Sequence, residues 1–310
     1  LFEANMPQLE LLPVDTENAA STAKEAAQKA IGRNAKLLLG PVFNVTTQAV
    51  FPVAAERHIN VISLSNDTSL AGKPGLFLLG NTPKQQVERV TRFASDRGIH
   101  HFAALVPNDP YGIAAANAFA DTIKKTRGTL YKTEYYAASA DRGALGLKQQ
   151  VESLLATLPE GEGAVSALLV PEGGERLRAV ESWVAEAKGN RVVELLGGNQ
   201  WVNAGRPEVT SGWFTDTDPA LRQQFEIRFR EVYGYTPPRI ASLAYDAVAL
   251  AAHLASRGDF STKAIYSPEG FKGSDSIFRF QGDGTTERGL AVMAVTPQGF
   301  HAVDPAPERF

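Results

Sequence analysis

The sequence contains no cysteine. Disulfide bonds, thiol nucleophiles and Cys-ligated zinc or iron–sulfur sites are therefore excluded. No run approaches about 18 consecutive apolar residues, the length a membrane-spanning helix needs. No charge of one sign dominates: 31 Lys and Arg stand against 34 Asp and Glu, for a net charge of −3 over 310 residues. No segment concentrates Lys and Arg with aromatic residues, so nucleic acid is not an expected partner. The common catalytic signatures are also missing: there is no G-x-S-x-G elbow, no P-loop and no HExxH.

What the chain has is a rhythm. LLLG (Leu37–Gly40), VISLSN (Val61–Asn66), FAALVPND (Phe102–Asp109), SALLVPEG (Ser166–Gly173) and VVELLGGN (Val192–Asn199) are short apolar runs, each ending in a small or polar loop. Amphipathic helical stretches separate them. Such runs read as strands buried on both faces, and strands alternating with helices predict a parallel sheet wrapped by helices. Ligands bind such sheets at the carboxyl ends of the strands.

The length exceeds one ordinary core, so two α/β lobes are expected. The predicted division is residues 1–97 plus 216–283 for the first lobe, and 98–215 plus 284–310 for the second. LFEANMPQ reads as the tail of a helix leading into a strand at Leu9–Val14. A doubly wound lobe normally opens with a strand, so upstream residues, including a first strand and any export signal, are expected to belong to the protein. Asp15 or Thr16 is the expected cap of the next helix, whose Ala19 to Ile31 face is rich in alanine. Thr82, Pro83 and Gln85 form a strong helix start. Near the end, Ile277–Phe280, the turn QGDG and Leu290–Val295 predict a hairpin.

Isolated residues offer little chemistry. His58, His100, His101, His253 and His301 are scattered, and the adjacent His100 and His101 would point to opposite faces of a strand. QGDGTTE lacks the alternating acidic ligands of a calcium loop, and GEGAVS precedes a strand where a dinucleotide fingerprint would follow one. Asp67, Asp109 and Glu172 lie near strand ends, where they read as exposed loop acids or a partner for a ligand's cation, with a catalytic carboxylate pair as the rarer alternative. No cofactor or metal is expected.

Four loops stand out as binding edges. GPVFNVTTQ (Gly40–Gln48) follows a strand and opens a helix, so amides near Asn44–Thr47 suit a carboxylate or another anion. Thr46 and Thr47 could add hydroxyls, while plain capping by Asn44 or Thr46 is the alternative. SNDTS (Ser65–Ser69) is dense in short polar groups. PNDPYG and GGNQW bring Tyr111 and Trp201, each a candidate ligand wall or a residue packed in its own lobe.

These segments resemble a known family. LLLGPVFNVTTQAVFPVA, VISLSNDTS and FAALVPNDPYG, in that order, are similar to the type I periplasmic binding proteins, in particular the leucine/isoleucine/valine-binding group. SNDTS, PPRIASLAYDAVALAA, FRFQGDGTTERGLAVMAV and the terminal DPAP look closer still to a subgroup of exported penicillin-binding protein activators. The resemblance implies two Rossmann-like doubly wound lobes joined by three crossovers, with a ligand in the cleft and hinge closure around it. It places the carboxylate grip on Asn44, Val45, Thr46 and Thr47, with Thr46 the best match, the next ligand loop on Ser65, Asn66 and Asp67, and a tyrosine contact on Tyr111. The acid that neutralises a ligand ammonium falls near Asn199, where the residue here is an amide, with Asp67 as the candidate substitute. The implied function is periplasmic solute binding, of an amino acid or similar molecule, with an ABC transporter permease as partner. The alternative on the same scaffold is an envelope lipoprotein that activates a peptidoglycan synthase. The implied location is the periplasm; on the lipoprotein alternative, a lipid anchor would be carried by the expected upstream N-terminal segment.

Overall fold

Strand periodicity and two-sided burial together explain the architecture seen in a computed structural model, which describes residues 9–137, 144–161, 163–203 and 205–310. The segment LFEANMPQ (residues 1–8) lies outside the described residues. The chain divides into two compact units: residues 1–82, 220–289 and 307–310 form unit 1, and residues 83–219 and 290–306 form unit 2.

In unit 1, Leu37–Leu39, Asn60–Ser63 and Leu76–Leu78 make a parallel sheet in that order. Alternate side chains enter two different cores, as a period of two requires. Leu38, Val61, Leu76 and Leu78 pack on Ala23, Ala27, Ala30 and Val50 of the helices Ala20–Gly32 and Asn44–Ala55. Ile62, Phe77 and Leu79 pack on Ala247, Leu250 and Leu254 of the helix Ala241–Ser256. The alanine face lets the first helix approach the sheet closely. Three antiparallel strands, Phe271–Lys272, Ile277–Phe280 and Thr286–Arg288, extend the second core.

Unit 2 holds a seven-stranded sheet. Its order is Gly299–Asp304, Ala291–Thr296, Gly212–Asp216, Val192–Gly197, Val165–Leu169, His101–Pro107 and Thr129–Tyr136. The last five are parallel, and the first two run antiparallel at one edge. Phe102, Ala104 and Val106 face the helices Pro83–Asp96 and Pro110–Lys125. Ala103 and Leu105 face the helices Ala144–Thr157 and Gly174–Ala187.

The structure departs from the sequence reading in several places. Leu9–Val14 forms no strand; it is non-regular, largely exposed, and carries Pro13, which has no N–H to offer a ladder. It lines a cavity of about 630 Å³ together with Leu37–Leu39 and the alanine face. The first helix is entered through Ala19 without a side-chain cap, because Asp15 accepts the Glu17 amide instead. The helix Pro83–Asp96 packs in unit 2, not in the first lobe, because Val87, Val90, Phe93 and Ala94 join the Phe102 core. Finally, Ile277–Phe280 pairs with Thr286–Arg288, while Ala291–Thr296 joins the other unit's sheet beside Gly212–Asp216. A fourth passage of the chain, beyond the three implied, returns Pro307–Phe310 to unit 1. There the Arg279 guanidinium sits 4.5 Å over the Phe310 ring.

Candidate functional site

In unit 1 the strand Leu37–Leu39 runs into a turn at Gly40, whose φ of +89° suits glycine. The helix Asn44–Ala55 follows, with Phe43 at the N-cap and no side-chain cap bond. Helix geometry leaves the Asn44, Val45 and Thr46 amides without an intrahelical acceptor, whereas Thr47 N already donates to Phe43 O at 2.9 Å. The side chain that could have capped the helix points elsewhere: Asn44 Nδ2 donates to Asp67 Oδ2 and, at 3.2 Å, to Ser69 Oγ. The helix start therefore offers backbone donors and the positive end of its dipole.

The threonine hydroxyls face inward. Thr46 and Thr47 are fully buried, and both hydroxyls donate to Phe43 O at 2.9 Å. Thr47 Oγ1 also lies 2.9 Å from Ser63 Oγ, which donates to Pro41 O at 2.9 Å. The second loop is tied to the same network: Ser65 N donates to Ser63 Oγ, and Asp67 N donates to Ser65 Oγ. Asp67 Oδ1 caps the short turn Thr68–Leu70 by accepting Ser69 N at 2.9 Å. Burial works to raise the Asp67 pKa, but the hydrogen bonds from Ser69 and Asn44 outweigh it and hold the carboxyl below its ordinary range. Asn44, Thr46, Thr47, Ser65 and Asp67 are thus brought together, with Asn66 exposed at the loop tip. Gly80 makes the packing possible, since a Cβ there would stand 2.5 Å from Ser65 O.

In unit 2, Asp109 caps the helix Pro110–Lys125 by accepting Gly112 N at 2.8 Å. This places Tyr111 in the first turn, where its hydroxyl accepts from Gln200 Nε2. Asn199 opens the turn Asn199–Trp201, and its backbone N–H donates to Gln86 Oε1 at 2.8 Å. Glu172 is already paired: it accepts from Tyr136 OH at 2.5 Å, Arg176 Nη1 at 2.7 Å and Gly173 N at 3.1 Å. Trp201 is no wall. It is fully buried within unit 2 and donates from Nε1 to Val170 O at 3.0 Å.

Sequence reasoning missed Gln86, Gln200 and Tyr136. Gln200 adjoins Asn199 and could have been read with it. Gln86 carried no signal, because its partner lies 113 positions away. Among the described residues, no group of three His, Cys, Asp or Glu is placed to hold a metal. The groups assembled at these strand ends are hydrogen-bond donors and acceptors, suited to holding a polar molecule.

Tyr111 has a measurable signature. Burial, reinforced by the negative Glu172 and Asp109, pushes its pKa up to about 12, against the opposing Gln200 bond. Burial and the Glu172 acceptor also push Tyr136 up. Both stay protonated in the folded state past the ordinary tyrosine range near pH 10. Their contribution to stability is therefore complete below the unfolded pKa and fades as pH rises through the folded one. An ultraviolet titration of the folded protein should show at least two fewer tyrosines ionising near pH 10 than the eight in the sequence, and one fewer delayed group in Tyr111→Phe.

Comparison with known proteins bears on the family and the fold. A family model described as periplasmic binding protein matches residues 4–299. The leucine binding protein LivK of Thermotoga maritima superposes with a TM-score of 0.67 at 18% identity, covering 96% of this chain and 88% of its own. Full-length LpoA of Haemophilus influenzae superposes with a TM-score of 0.70 at 15% identity, covering 98% of this chain and 54% of its own. An uncharacterized protein of Rickettsia prowazekii (strain Madrid E) is 29% identical over 113 residues, 36% of this chain, and the chain spans only 29% of that relative's length. The match across nearly the whole chain, on two α/β units with polar loops at their strand ends, shows that the chain belongs to the periplasmic binding protein family.

Proposed function

We propose that this chain captures a small polar ligand, an amino acid or similar molecule, for the permease of an ABC transporter in the periplasm. The observation that carries this reading is the uncapped start of the helix Asn44–Ala55, where three backbone amides and the dipole favour a carboxylate. Because the Thr46 and Thr47 hydroxyls are bonded inward to Phe43 O, the proposal puts the anion on these amides, with the two threonines holding the turn in place. Asn44, Ser65, Asn66 and Asp67 complete the ligand loops of unit 1, and Tyr111 and Asn199 are the ligand residues of unit 2. The name of the Thermotoga protein, a leucine binding protein, supports an amino-acid class.

Calorimetry against a panel of amino acids tests the reading. Saturable binding of at least one is expected, and flat titrations throughout would overturn it. Val45→Asp sharpens the test. Val45 is 61% exposed in the first helical turn, so an aspartate there stabilises the helix by up to about 1 kcal/mol through the dipole. The same charge repels a bound carboxylate, and Kd should rise roughly tenfold, about 1.4 kcal/mol. Weaker binding with an unchanged or raised Tm is the expected pair of results.

A second reading, activation of a peptidoglycan synthase on the same scaffold, draws on Asn199. An amide stands where the resemblance places an acid, and the nearby Glu172 is already neutralised by Arg176. Recovery of a peptidoglycan synthase in a pull-down, together with flat amino-acid titrations, would favour it.

A further inference from the structure

The helix Pro219–Tyr233 presents an unusual face. Leu221, Phe225, Phe229 and Tyr233 recur every four residues, the spacing of a stripe meant to be covered. Only Phe225 of this helix is buried. From it an aromatic ladder climbs outward: Phe225 lies 5.7 Å from Tyr245 and 6.0 Å from Phe229. Phe229 in turn lies 4.5 Å from Tyr233 and 5.3 Å from Tyr235. At the top Val232, Tyr233 and Tyr235 are 73%, 61% and 57% exposed.

The charge around this ladder differs in sign from the rest of the chain. Between Gln223 and Ile240 the exposed charged residues are Arg228, Arg230, Arg239 and Glu231, on a chain of net charge −3. A second copy would bring arginines against arginines, which disfavours self-association. Tyrosine rings with hydroxyl tips, flanked along the chain by exposed arginines, match the boundary between apolar chains and charged headgroups. We propose that this face docks on an anionic lipid surface, with Val232, Tyr233 and Tyr235 entering the headgroup layer and Arg228, Arg230 and Arg239 meeting lipid phosphates. No helix among the described residues is long and apolar enough to cross a membrane, so the contact is peripheral.

Co-sedimentation of the full chain with vesicles tests this. Vesicles of phosphatidylcholine with about one-third phosphatidylglycerol should pellet the protein, pure phosphatidylcholine should not, and added salt should release it. The double variant Tyr233→Ser/Tyr235→Ser should bind at least about tenfold more weakly, as should Arg228→Glu/Arg230→Glu. Because the replaced side chains are exposed, circular dichroism should confirm that both variants stay folded. The variant Tyr235→Trp should give a blue-shifted emission on the anionic vesicles. No pelleting, equal pelleting on neutral vesicles, or full binding by the double tyrosine variant would each overturn the proposal. So would a protein partner that occupies this face while vesicles leave the emission of the Tyr235→Trp variant unshifted.

Discussion

Replacing Arg288 with alanine is expected to lower the stability of unit 1 by about 3–5 kcal/mol, the usual cost of removing one partner from a buried ion pair. Arg288 Nη1 lies 3.2 Å from Asp246 Oδ2, 3.3 Å from Asp275 Oδ1 and 2.7 Å from Ser276 Oγ. The three charged side chains are sealed from solvent. The cluster ties the helix Ala241–Ser256 to the strand Thr286–Arg288, and Arg222 reaches Asp275 from the helix Pro219–Tyr233 at 3.6 Å. Without Arg288, carboxylates would face one another inside the protein.

The dependence on pH follows from Asp246. Burial raises its pKa, and Asp275 adds to the rise, against the pull of Arg288. A raised carboxyl contributes stability that is complete below the unfolded value near 3.8 and lost as pH rises through the folded value. The penalty of Arg288→Ala should therefore be smaller near pH 4 than at pH 7, because Asp246 can take a proton. Urea unfolding at the two pH values reads this directly. Equal penalties would show that the loss comes from packing alone.

Trp201→Ala should cost unit 2 about 3–5 kcal/mol, as large-to-small changes at fully buried aromatic sites do. The ring is completely enclosed, hydrogen-bonded to Val170 O, and 6.0 Å from Phe214. It also presses on Gly197, where a Cβ would stand 2.0 Å from the indole. Chemical denaturation should show the loss with or without ligand. Native stability combined with abolished ligand binding would return Trp201 to the role of a ligand wall.

Trp201 shows where reading the sequence stops. GGNQW at a strand end was compatible with a wall or with core, and only the enclosure by Val170 and Phe214 separates the two. The threonines of NVTT are a similar case. Their position at a helix start was legible, but the direction of their hydroxyls depends on Phe43 O and Ser63, which the turn at Gly40 brings close. Glu172 was legible as an acid near a strand end, while its neutralisation required Arg176 one helical turn on and Tyr136 from another strand.

Local pattern was enough to specify the alternation of strands and helices, the two α/β units, the helix start after Leu37–Leu39 and the loops that carry polar groups. These follow from periodicity, capping residues and turn formers within a few positions, where chain connectivity alone sets distance. Long-range packing settled which sheet receives Ala291–Thr296, which unit takes the helix Pro83–Asp96, and that Gln86 reaches Asn199. Those outcomes depend on which distant apolar faces bury each other, and burial energy is indifferent to separation along the sequence.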